Sequence, residues 1–412
     1  KVKTNMLSLT ALSVRTIAFC YAPDGARYAL PAEVQWTLSG AGMVRQGLAD
    51  AGFTVSKTQG FGRKRHRLEA IYPGQVKTEE PVVRPVIIGG GIAGTSLAAS
   101  FLRRGIVPTI IDAGDGTAAS GNPAAIVKPR LDLQDRPESR FFLASYLHAL
   151  QAYKDVDAVI SEGVFHAAKT KAELMRFEKL ARYSALPPAH MRLASGPYNT
   201  NGLSFPKAQI IDPKAACTAL SAGAMRITGR AVRVETQGPD TKIRGKAGQV
   251  LASGTHVILA LGAGVREFQN APNLELRFSR GQITAAKAAC ETALTYGGYA
   301  VPLGDSVLLG ATHARLSGAD PYAVTDDDDA ANLENYKAIT GNTATVLPGG
   351  SRASVRVNTK QTVPVVHHNG NGIITLTGLG SRGFVFAPLL AENIVSSICG
   401  GVSSGEFLSF AE

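Results

Sequence analysis

Residues 85–112 read PVIIGGGIAGTSLAASFLRRGIVPTIID, and this stretch decides the fold class. It opens with the apolar run Val86–Ile88, which predicts a buried parallel strand. A glycine-rich turn follows, then a segment with helical apolar spacing, then a second apolar run that ends in an acid. A strand, a glycine turn, a helix and a strand in this order predict a Rossmann-type α/β unit.

The three glycines of the turn match G-x-G-x-x-G, and each has its own physical role. Gly89 permits the tight turn, Gly91 lets the backbone approach a pyrophosphate, and Gly94 lets the helix pack closely on the strand. Asp112 lies 23 residues after Gly89, where an acid is expected to bind ribose hydroxyls. The free N–H groups at the start of the helix favour phosphate. The pattern therefore predicts a dinucleotide cofactor.

The composition of the 412 residues is that of an ordinary globular protein, with 45% hydrophobic and 18% charged residues. No run of 18 apolar residues predicts a membrane-spanning helix, so we expect no membrane partner. The four cysteines form no C-x-x-C pair, which favours a reducing cytoplasm over a disulfide framework or a metal site. The first residues lack the features of a signal peptide and an initiator Met, so we expect part of a longer chain.

The basic charge is concentrated near the start of the chain. Residues 1–75 hold ten Lys and Arg but four Asp and Glu, and residues 60–67 read GFGRKRHR. Residues 53–55 and 68–72 on either side of this run have strand character, so we expect a hairpin with a basic tip. A polyanion such as nucleic acid is one partner that fits, and a solvated basic surface is the alternative. The proline-containing segment 73–85 predicts a linker.

The stretch 85–112 resembles the opening of the D-amino-acid oxidase and glycine oxidase family of flavoenzymes. Three later segments resemble that family as well: ASGNPAA at 119–125, THVILALGAG at 255–264 and GLGSRG at 378–383. The resemblance implies FAD and an α/β fold, in which an FAD-binding Rossmann-type domain carries an inserted α+β substrate domain. No His or Cys stands where attachment would be obvious, so we expect the FAD to be non-covalent. Oxygen is the electron acceptor that the family implies, and a monomer is expected.

The resemblance also implies which residues contact FAD. Besides the turn and Asp112, they come from the second flavin segment, from the late glycine turn, from Arg280-Gly281-Gln282 and from the C-terminal glycine turn. The full set is Gly89, Gly91, Ile92, Ala93, Gly94, Asp112, Ser120, Gly121, Asn122, Ala124, Gly262, Gly281, Gln282, Gly378, Gly380, Ser381, Arg382 and Gly383.

A flavin amine oxidase needs a cation that holds the substrate carboxylate, and the planar fork of arginine suits this role. Arg356 lies in a segment that resembles the family's substrate-binding arginine, with Arg352 and Arg382 as competing candidates. Tyr299 is expected to wall the substrate pocket or to lie in the core. Lys128 follows the second flavin segment and is a candidate contact to the flavin ring or to oxygen.

The N-terminal residues resemble the end of the methyltransferase domain in the bifunctional tRNA 5-methylaminomethyl-2-thiouridine biosynthesis family. That family fuses this domain ahead of a glycine-oxidase-like domain. The resemblance implies oxidation of a carboxymethylaminomethyl group on a tRNA wobble uridine, which releases glyoxylate and leaves aminomethyluridine. S-adenosylmethionine serves the methyltransferase of the intact family member, but nothing in 1–75 resembles its binding loop, so we expect no methyl transfer. The residues expected to contact RNA phosphates are Arg63, Lys64, Arg65 and Arg67.

These interpretations give a domain plan. We expect a methyltransferase remnant at 1–75, a linker at 76–85 and an oxidoreductase domain at 86–412. The flavin-binding parts are expected at 86–150, 205–265 and 350–412, and the substrate parts at 151–204 and 266–349. Two other functions stay open: a free-standing oxidase of glycine, sarcosine or a D-amino acid, and a non-catalytic flavoprotein that binds tRNA.

The acidic run Asp326–Asp329 has two interpretations, a metal site or the first turn of a helix. We favour the helix, because Thr325 can cap it and acids in a first turn stabilise the helix dipole.

Overall fold

The computed structural model describes residues 34–37, 45–46, 49–50, 54–59, 66–71, 83–184, 186–316 and 320–400. The chain divides into two compact units, residues 1–81 and 82–412. Each unit is described separately below.

The first unit contains an antiparallel sheet of strands β1 (Val34–Thr37), β2 (Thr54–Gln59) and β3 (His66–Ile71), in the order β1-β3-β2. The expected hairpin is confirmed, since β2 pairs antiparallel with β3. Its basic tip lies outside the described residues, which include none of Arg63, Lys64 and Arg65. Arg67 is on β3, and its side chain is likewise outside what the structure describes.

The second unit alternates helices with many strands. Its first half consists of β4 (Pro85–Ile88), α1 (Ile92–Arg103), β5 (Thr109–Asp112), β6 (Ala125–Val127), α2 (Pro137–Lys154), β7 (Val159–Ala167), α3 (Lys171–Tyr183), β8 (Arg192–Ser195), β9 (Asn201–Ile211), α4 (Pro213–Leu220) and β10 (Met225–Thr228). Its second half consists of β11 (Ala231–Gln237), β12 (Asp240–Gly245), β13 (Val250–Gly254), β14 (His256–Leu259), β15 (Leu276–Lys287), β16 (Ala293–Thr295), β17 (Tyr299–Leu303), β18 (Ser306–Gly310), β19 (Ala314–Arg315), α5 (Asp326–Thr340), β20 (Thr345–Thr359), β21 (Val365–Gly370), β22 (Ile373–Thr377) and α6 (Gly383–Ile398).

A six-stranded sheet in the order β10-β5-β4-β14-β22-β21 forms the Rossmann-type part. Its strands pair in parallel except β21, which is antiparallel to β22. Every residue of β4 is buried, as expected for a strand covered on both faces. The small residues of α1 let it pack closely, and Phe386 of α6 contacts Phe141 and Phe142 of α2, with ring centroids 5.2 and 5.6 Å away. The predicted Rossmann-type fold is therefore confirmed.

A ten-stranded, mostly antiparallel sheet forms the second part, in the order β19-β15-β18-β17-β16-β7-β9-β6. Strand β20 pairs with β15, and β8 pairs with β9. A small antiparallel sheet, β11-β12-β13, is inserted between β10 and β14. The large sheet is the inserted α+β part that the sequence predicted.

Three strands within the ranges expected to bind flavin lie in the large sheet and not in the Rossmann-type sheet. Residues 125–127, 205–211 and 350–359 were assigned to the flavin-binding parts, but they lie in the large sheet as parts of β6, β9 and β20. These strands pair with partners distant in sequence, so local apolar pattern cannot assign them.

The acidic run begins helix α5, as expected. Thr325 is its N-cap residue, and the Thr325 Oγ1 accepts a hydrogen bond from the Asp328 N–H. Within the part of the chain that the structure describes, no helix has both the length and the apolar character needed to cross a bilayer.

Candidate functional site

A cavity of about 1270 Å³ lies where the carboxyl ends of the parallel strands face the large sheet. Residues after β4, β5, β14 and β22 line one part, and residues of β7, β16, β17 and β20 line the other. Ligands of open α/β sheets bind at the carboxyl ends of the strands. The volume exceeds that of an ordinary small-ligand pocket, so a dinucleotide and a second molecule both have room.

The glycine turn after β4 is built for close packing. Gly89 has a φ of +116°, and a Cβ on it would lie 2.2 Å from the carbonyl oxygen of Ala260. A Cβ on Gly94 would lie 1.8 Å from the carbonyl oxygen of Gly89, so only glycine lets α1 approach the turn. Gly91, Ile92 and the adjacent Ala93 line the cavity at the start of α1.

Asp112 lines the cavity at the end of β5 and is held by two backbone groups. Its Oδ2 accepts a hydrogen bond from the Gly90 N–H at 2.6 Å, and its Oδ1 accepts one from the Gly114 N–H at 2.9 Å. Each carboxylate oxygen can accept a further hydrogen bond. The side chain is therefore fixed, yet still able to accept from ligand hydroxyls.

The second predicted flavin segment is a loop fastened by Arg352. The guanidinium donates to Oδ1 of Asn122 at 2.6 Å and to the carbonyl oxygens of Gly116 and Ala118 at 2.9 and 2.6 Å. Ser120 Oγ accepts a hydrogen bond from the Ile92 N–H at 3.0 Å, which joins this loop to the start of α1. Arg352 thus makes three hydrogen bonds to the loop and does not line the cavity, so it does not compete for a substrate carboxylate.

The C-terminal glycine turn presents residues to the same cavity. Gly378 and Gly380 have φ angles of +75° and +58°, and a Cβ on Gly380 would lie 2.1 Å from Oδ1 of Asn358. Thr377 Oγ1 is buried and has no hydrogen-bond partner within the described part of the chain. The lining residues of this turn include Gly378, Gly380, Ser381, Arg382 and Gly383. An unpartnered hydroxyl beside a glycine turn fits a polar ligand.

Arg356, on β20, is a buried cation without an acidic partner. The residue is 8% exposed, and it forms no ion pair with the carboxylates that the structure describes. Nη1 makes two long contacts, 3.5 Å to the carbonyl oxygen of Thr312 and 3.4 Å to Nδ1 of His313. Burial lowers the pKa of Arg356, and nearby Tyr299 opposes that change. A buried charge that lacks a partner is costly, so this site suits an anionic ligand.

Three strands of the large sheet bring a row of polar side chains to the cavity. His166 on β7 pairs with Thr295 on β16, and Thr295 pairs with Tyr299 on β17. Residues opposite each other in a sheet project from the same face, and all three line the cavity. Thr295 Oγ1 is buried with no hydrogen-bond partner in the described residues. We call His166, Thr295 and Tyr299 the polar row.

The side chains at both ends of the polar row have shifted pKa values. At one end, burial raises the pKa of Tyr299 to about 12, although Arg356 opposes the shift. At the other end, Nζ of Lys128 lies 2.6 Å from Nδ1 of His166. Burial and then the charge of Arg382 lower the pKa of Lys128 to about 7. Burial and then the charge of Lys128 lower the pKa of His166 to about 3.

Most residues predicted for the site lie together in the cavity, but four do not line it: Gly94, Gly121, Gly281 and Gln282. Gln282, which was expected to contact the cofactor, is fully buried, and its amide donates to Thr325 O and Asp329 Oδ1 at 2.8 and 2.7 Å. Gly281 lies against the guanidinium of Arg356 instead. Sequence reasoning missed His166, His313 and Thr295, which no local motif marks, and Thr377, which directly precedes the C-terminal glycine turn.

Comparison with known families and proteins gives two matches along the chain. Residues 85–396 match the model of FAD dependent oxidoreductases. Residues 26–73 match the model of an S-adenosyl-L-methionine-dependent methyltransferase. The second match covers only a short part of the chain.

The curated relatives include proteins named tRNA 5-methylaminomethyl-2-thiouridine biosynthesis bifunctional protein MnmC. The protein of Caulobacter vibrioides is 36% identical over 386 residues, which are 91% of this chain and 64% of that protein. The protein of Maricaulis maris is 35% identical over 89% of this chain and 61% of its own length. The chain thus spans less than two thirds of the length of these relatives.

Two solved structures have a fold similar to that of this chain. Iminodiacetate oxidase from Chelativorans sp. BNC1 has a TM-score of 0.66 at 19% identity and covers 78% of this chain and 96% of its own. Glycine oxidase from Geobacillus kaustophilus has a TM-score of 0.66 at 16% identity and covers 79% of this chain and 98% of its own. At such identities the likeness concerns the fold alone.

Proposed function

The chain belongs to the FAD dependent oxidoreductase family, and from that premise we propose that it oxidises the carboxymethylaminomethyl group of a tRNA wobble uridine, releasing glyoxylate and leaving aminomethyluridine. The substrate is an N-substituted glycine, with a carboxylate one carbon from a secondary amine. The observation that carries the proposal is Arg356, a buried guanidinium that lines the cavity and has no acidic partner among the described residues. That the substrate is a tRNA is proposed from the names of the relatives.

FAD fits the cavity residues as a non-covalent cofactor. The proposed contacts are the start of α1 for the pyrophosphate, Asp112 for the ribose and the C-terminal glycine turn for the flavin. The three cysteines that the structure describes do not line the cavity, and Nδ1 of His166 is occupied by Lys128. Bound FAD supplies the acceptor for the hydride that leaves the methylene carbon between carboxylate and amine. Release of the flavin by acid tests the non-covalent mode.

Arg356 binds the substrate carboxylate in this proposal. A guanidinium holds a carboxylate through two parallel hydrogen bonds, which also orients the methylene carbon beside it. Tyr299 is close enough to Arg356 for their charges to interact, and it walls the same part of the cavity. Arg382 is a second lining cation, and nearby Arg130 supports the positive potential. Together these cations favour an anionic substrate.

The first unit is proposed to contact the RNA backbone through its basic hairpin tip. The run 60–67 concentrates positive charge, and phosphate contacts require Lys and Arg. The match to a methyltransferase covers only residues 26–73, so we propose that this chain transfers no methyl group from S-adenosylmethionine. A radiolabelled methyl-transfer assay on aminomethyl-modified tRNA checks that statement, and turnover would contradict it.

The deciding experiment is anaerobic reduction of the bound flavin, followed by its absorbance. The purified protein is mixed with tRNA that carries carboxymethylaminomethyluridine, and glyoxylate is measured afterwards. Rapid bleaching with one glyoxylate released per flavin supports the proposal, provided free glycine acts far more slowly. Bleaching by glycine or sarcosine but not by the tRNA would make the chain a free amino-acid oxidase. Subsequent admission of oxygen tests whether oxygen is the acceptor.

A further inference from the structure

Lys128 is a partly buried residue whose partners leave its amine able to hold or release a proton. Its Nζ contacts Nδ1 of His166 at 2.6 Å and lies 5.2 Å from the centroid of the Phe205 ring. An ammonium group has donors only, so Nδ1 of His166 accepts and the imidazole proton is on Nε2. Once it loses a proton, the amine still has an N–H for His166 and gains a lone pair. Since Lys128 lines the cavity, that lone pair is available to a bound ligand.

The charged groups that face this pair are all cationic. Arg382 precedes α6, Arg176 is on α3 beyond His166, and Arg130 follows Lys128 on its own segment and faces Arg382. Lys128 forms no ion pair with any carboxylate in the part of the chain that the structure describes. The combination of burial and like charge lowers the pKa of Lys128 to about 7. Lys128 therefore changes charge near neutral pH, where an ordinary lysine does not.

The polar row connects the strand beside Lys128 with the strand beside Arg356. His166, which holds Lys128, lies two strands from Tyr299, which neighbours Arg356. Two strand spacings amount to about 10 Å. That span leaves room for a carboxylate at Arg356, one methylene carbon and an amine nitrogen that faces Lys128. Lys128 and Arg356 both line this cavity, so a proton acceptor and a carboxylate-binding cation face the same bound molecule.

We propose that Lys128, oriented by His166, is the group that removes the proton from the substrate ammonium before the carbon–hydrogen bond breaks. This assignment rests on the proposed function for the identity of the amine. A secondary amine next to a methylene carboxylate is protonated at neutral pH, and an ammonium nitrogen has no lone pair with which to form a C=N bond. The nearby guanidinium groups of Arg356 and Arg382 further disfavour the ammonium form.

The step balances as follows in atoms and charge. The N–H proton moves to Nζ of Lys128, which becomes an ammonium group. The nitrogen lone pair then forms the C=N bond as the methylene hydrogen leaves with its electron pair for the oxidised flavin. Water adds to the resulting iminium carbon, and cleavage of the C–N bond gives glyoxylate and the primary amine. Lys128 returns its proton to solvent before the next turnover.

The test measures the rate at which the modified tRNA reduces the flavin without oxygen. This rate is determined as a function of pH for the whole chain and for its variants. In the unaltered protein, the limiting rate is expected to rise through a midpoint near pH 7. Lys128→Met should reduce the rate at pH 7 by about 10²-fold and remove that midpoint, with activity recovering only at alkaline pH. Lys128→Arg should reduce the rate at pH 7 as much as Lys128→Met does, because arginine keeps the charge but accepts no proton. Lys179→Met, which alters an exposed lysine of α3, is the matched control and should change neither quantity.

Three results would overturn the assignment. A loss in Lys128→Met that is equal at every pH, or rescue by arginine, would reduce Lys128 to a structural or purely electrostatic group. Unchanged reduction with slower reoxidation by oxygen would assign it to the oxygen step instead. If only free glycine or sarcosine reduces the flavin, the tRNA proposal fails, and the same pH comparison is made with that amine.

A second measurement needs no turnover. In protein labelled at the lysine side-chain carbons, one lysine resonance should titrate with a midpoint near pH 7, and that resonance should be missing from Lys128→Met. A spectrum in which every lysine titrates above pH 9 would contradict the proposal, whatever the rates show.

Discussion

Gly281 makes room for the guanidinium of Arg356: a Cβ on Gly281 would lie 2.3 Å from Nη1 and 2.7 Å from Cζ. The two residues lie on the paired strands β15 and β20. The missing side chain on one strand therefore sets the position of the cation on the other.

Gly281→Ala is expected to displace that cation without unfolding the protein. The atoms that the new methyl group meets first belong to the far end of a flexible side chain, so they move instead of the backbone. We expect KM for the carboxylate substrate to rise about 10-fold, with little change in flavin content or melting temperature. Steady-state kinetics and thermal denaturation check this. A large fall in melting temperature with KM unchanged would contradict it.

Gly94→Ala is expected to abolish cofactor binding. Its Cβ would meet the carbonyl oxygen and carbon of Gly89 at 1.8 and 3.0 Å, and backbone atoms cannot turn aside. The turn before α1 would have to open, which removes the anion site at the helix start. The ratio of flavin to protein after purification is the measurement. A variant that retains flavin at the ratio of the unaltered protein would refute the explanation.

Glu392 joins α6 to α1 and is expected to stabilise the fold in a pH-dependent way. Its two carboxylate oxygens accept hydrogen bonds from Arg104 at 2.5 Å and Arg103 at 2.6 Å. Burial raises the pKa of Glu392, but the hydrogen bonds and charges of these arginines outweigh it and lower the pKa to about 2. A depressed pKa means that the stabilisation is complete above the unfolded value near 4.5 and is lost as pH falls toward 2.

Glu392→Gln should therefore lower the free energy of unfolding by roughly 1–3 kcal/mol at pH 6 and by less than half as much at pH 3. Urea denaturation at the two pH values measures both differences. Glu178→Gln, which changes an exposed glutamate of α3, serves as the comparison. An equal loss at both pH values would show that the ion pairs do not cause the effect.

The basic hairpin tip is expected to contribute to RNA binding and to have no effect on the oxidation of small amines. Neutralising Arg63, Lys64 and Arg65 with glutamine should raise KM for tRNA and make its dependence on salt shallower, by about 0.7–0.9 in the log–log slope for each phosphate that is no longer bound. The rate with a small N-substituted glycine should not change. A control variant removes the same charge elsewhere, at the exposed residues Lys214, Lys287 and Lys337. If both variants weaken tRNA binding equally, net charge and not the tip is responsible.

The parts of the fold that sequence predicts well are those with local causes. The strand, glycine turn and helix at 85–104 follow from buried apolar residues, from glycine conformations and from a helix start within one short segment. Strand Ile373–Thr377 and the glycine turn after it follow in the same way. Arg356 also lines the cavity. It was proposed as the carboxylate-binding residue from family resemblance and not from a local pattern.

The parts that sequence does not predict depend on distant pairing. Lys128 and His166 are 38 residues apart, and only the pairing of β7, β9 and β6 brings them together. Gly281 and Gln282 are adjacent, yet successive residues of a strand face opposite sides of a sheet. Gly281 therefore meets Arg356 while Gln282 is buried against α5, a distinction that a three-residue motif cannot make.

Arg352 and Arg356 lie on one uninterrupted stretch of β20, whose register against β15 has no bulge between them. Residues four apart in a strand face the same side, about 13 Å from each other. Arg352 holds the loop after β5, and Arg356 lines the cavity. The extended strand between them therefore fixes the distance between the loop contact and the cavity cation. Substitution of Arg352 or of Arg356 can change what that residue binds without moving the other residue. Insertion or deletion of a single residue between them would turn one anchor to the opposite face, so chains of this design are free to diverge in chemistry but not in the length of this segment.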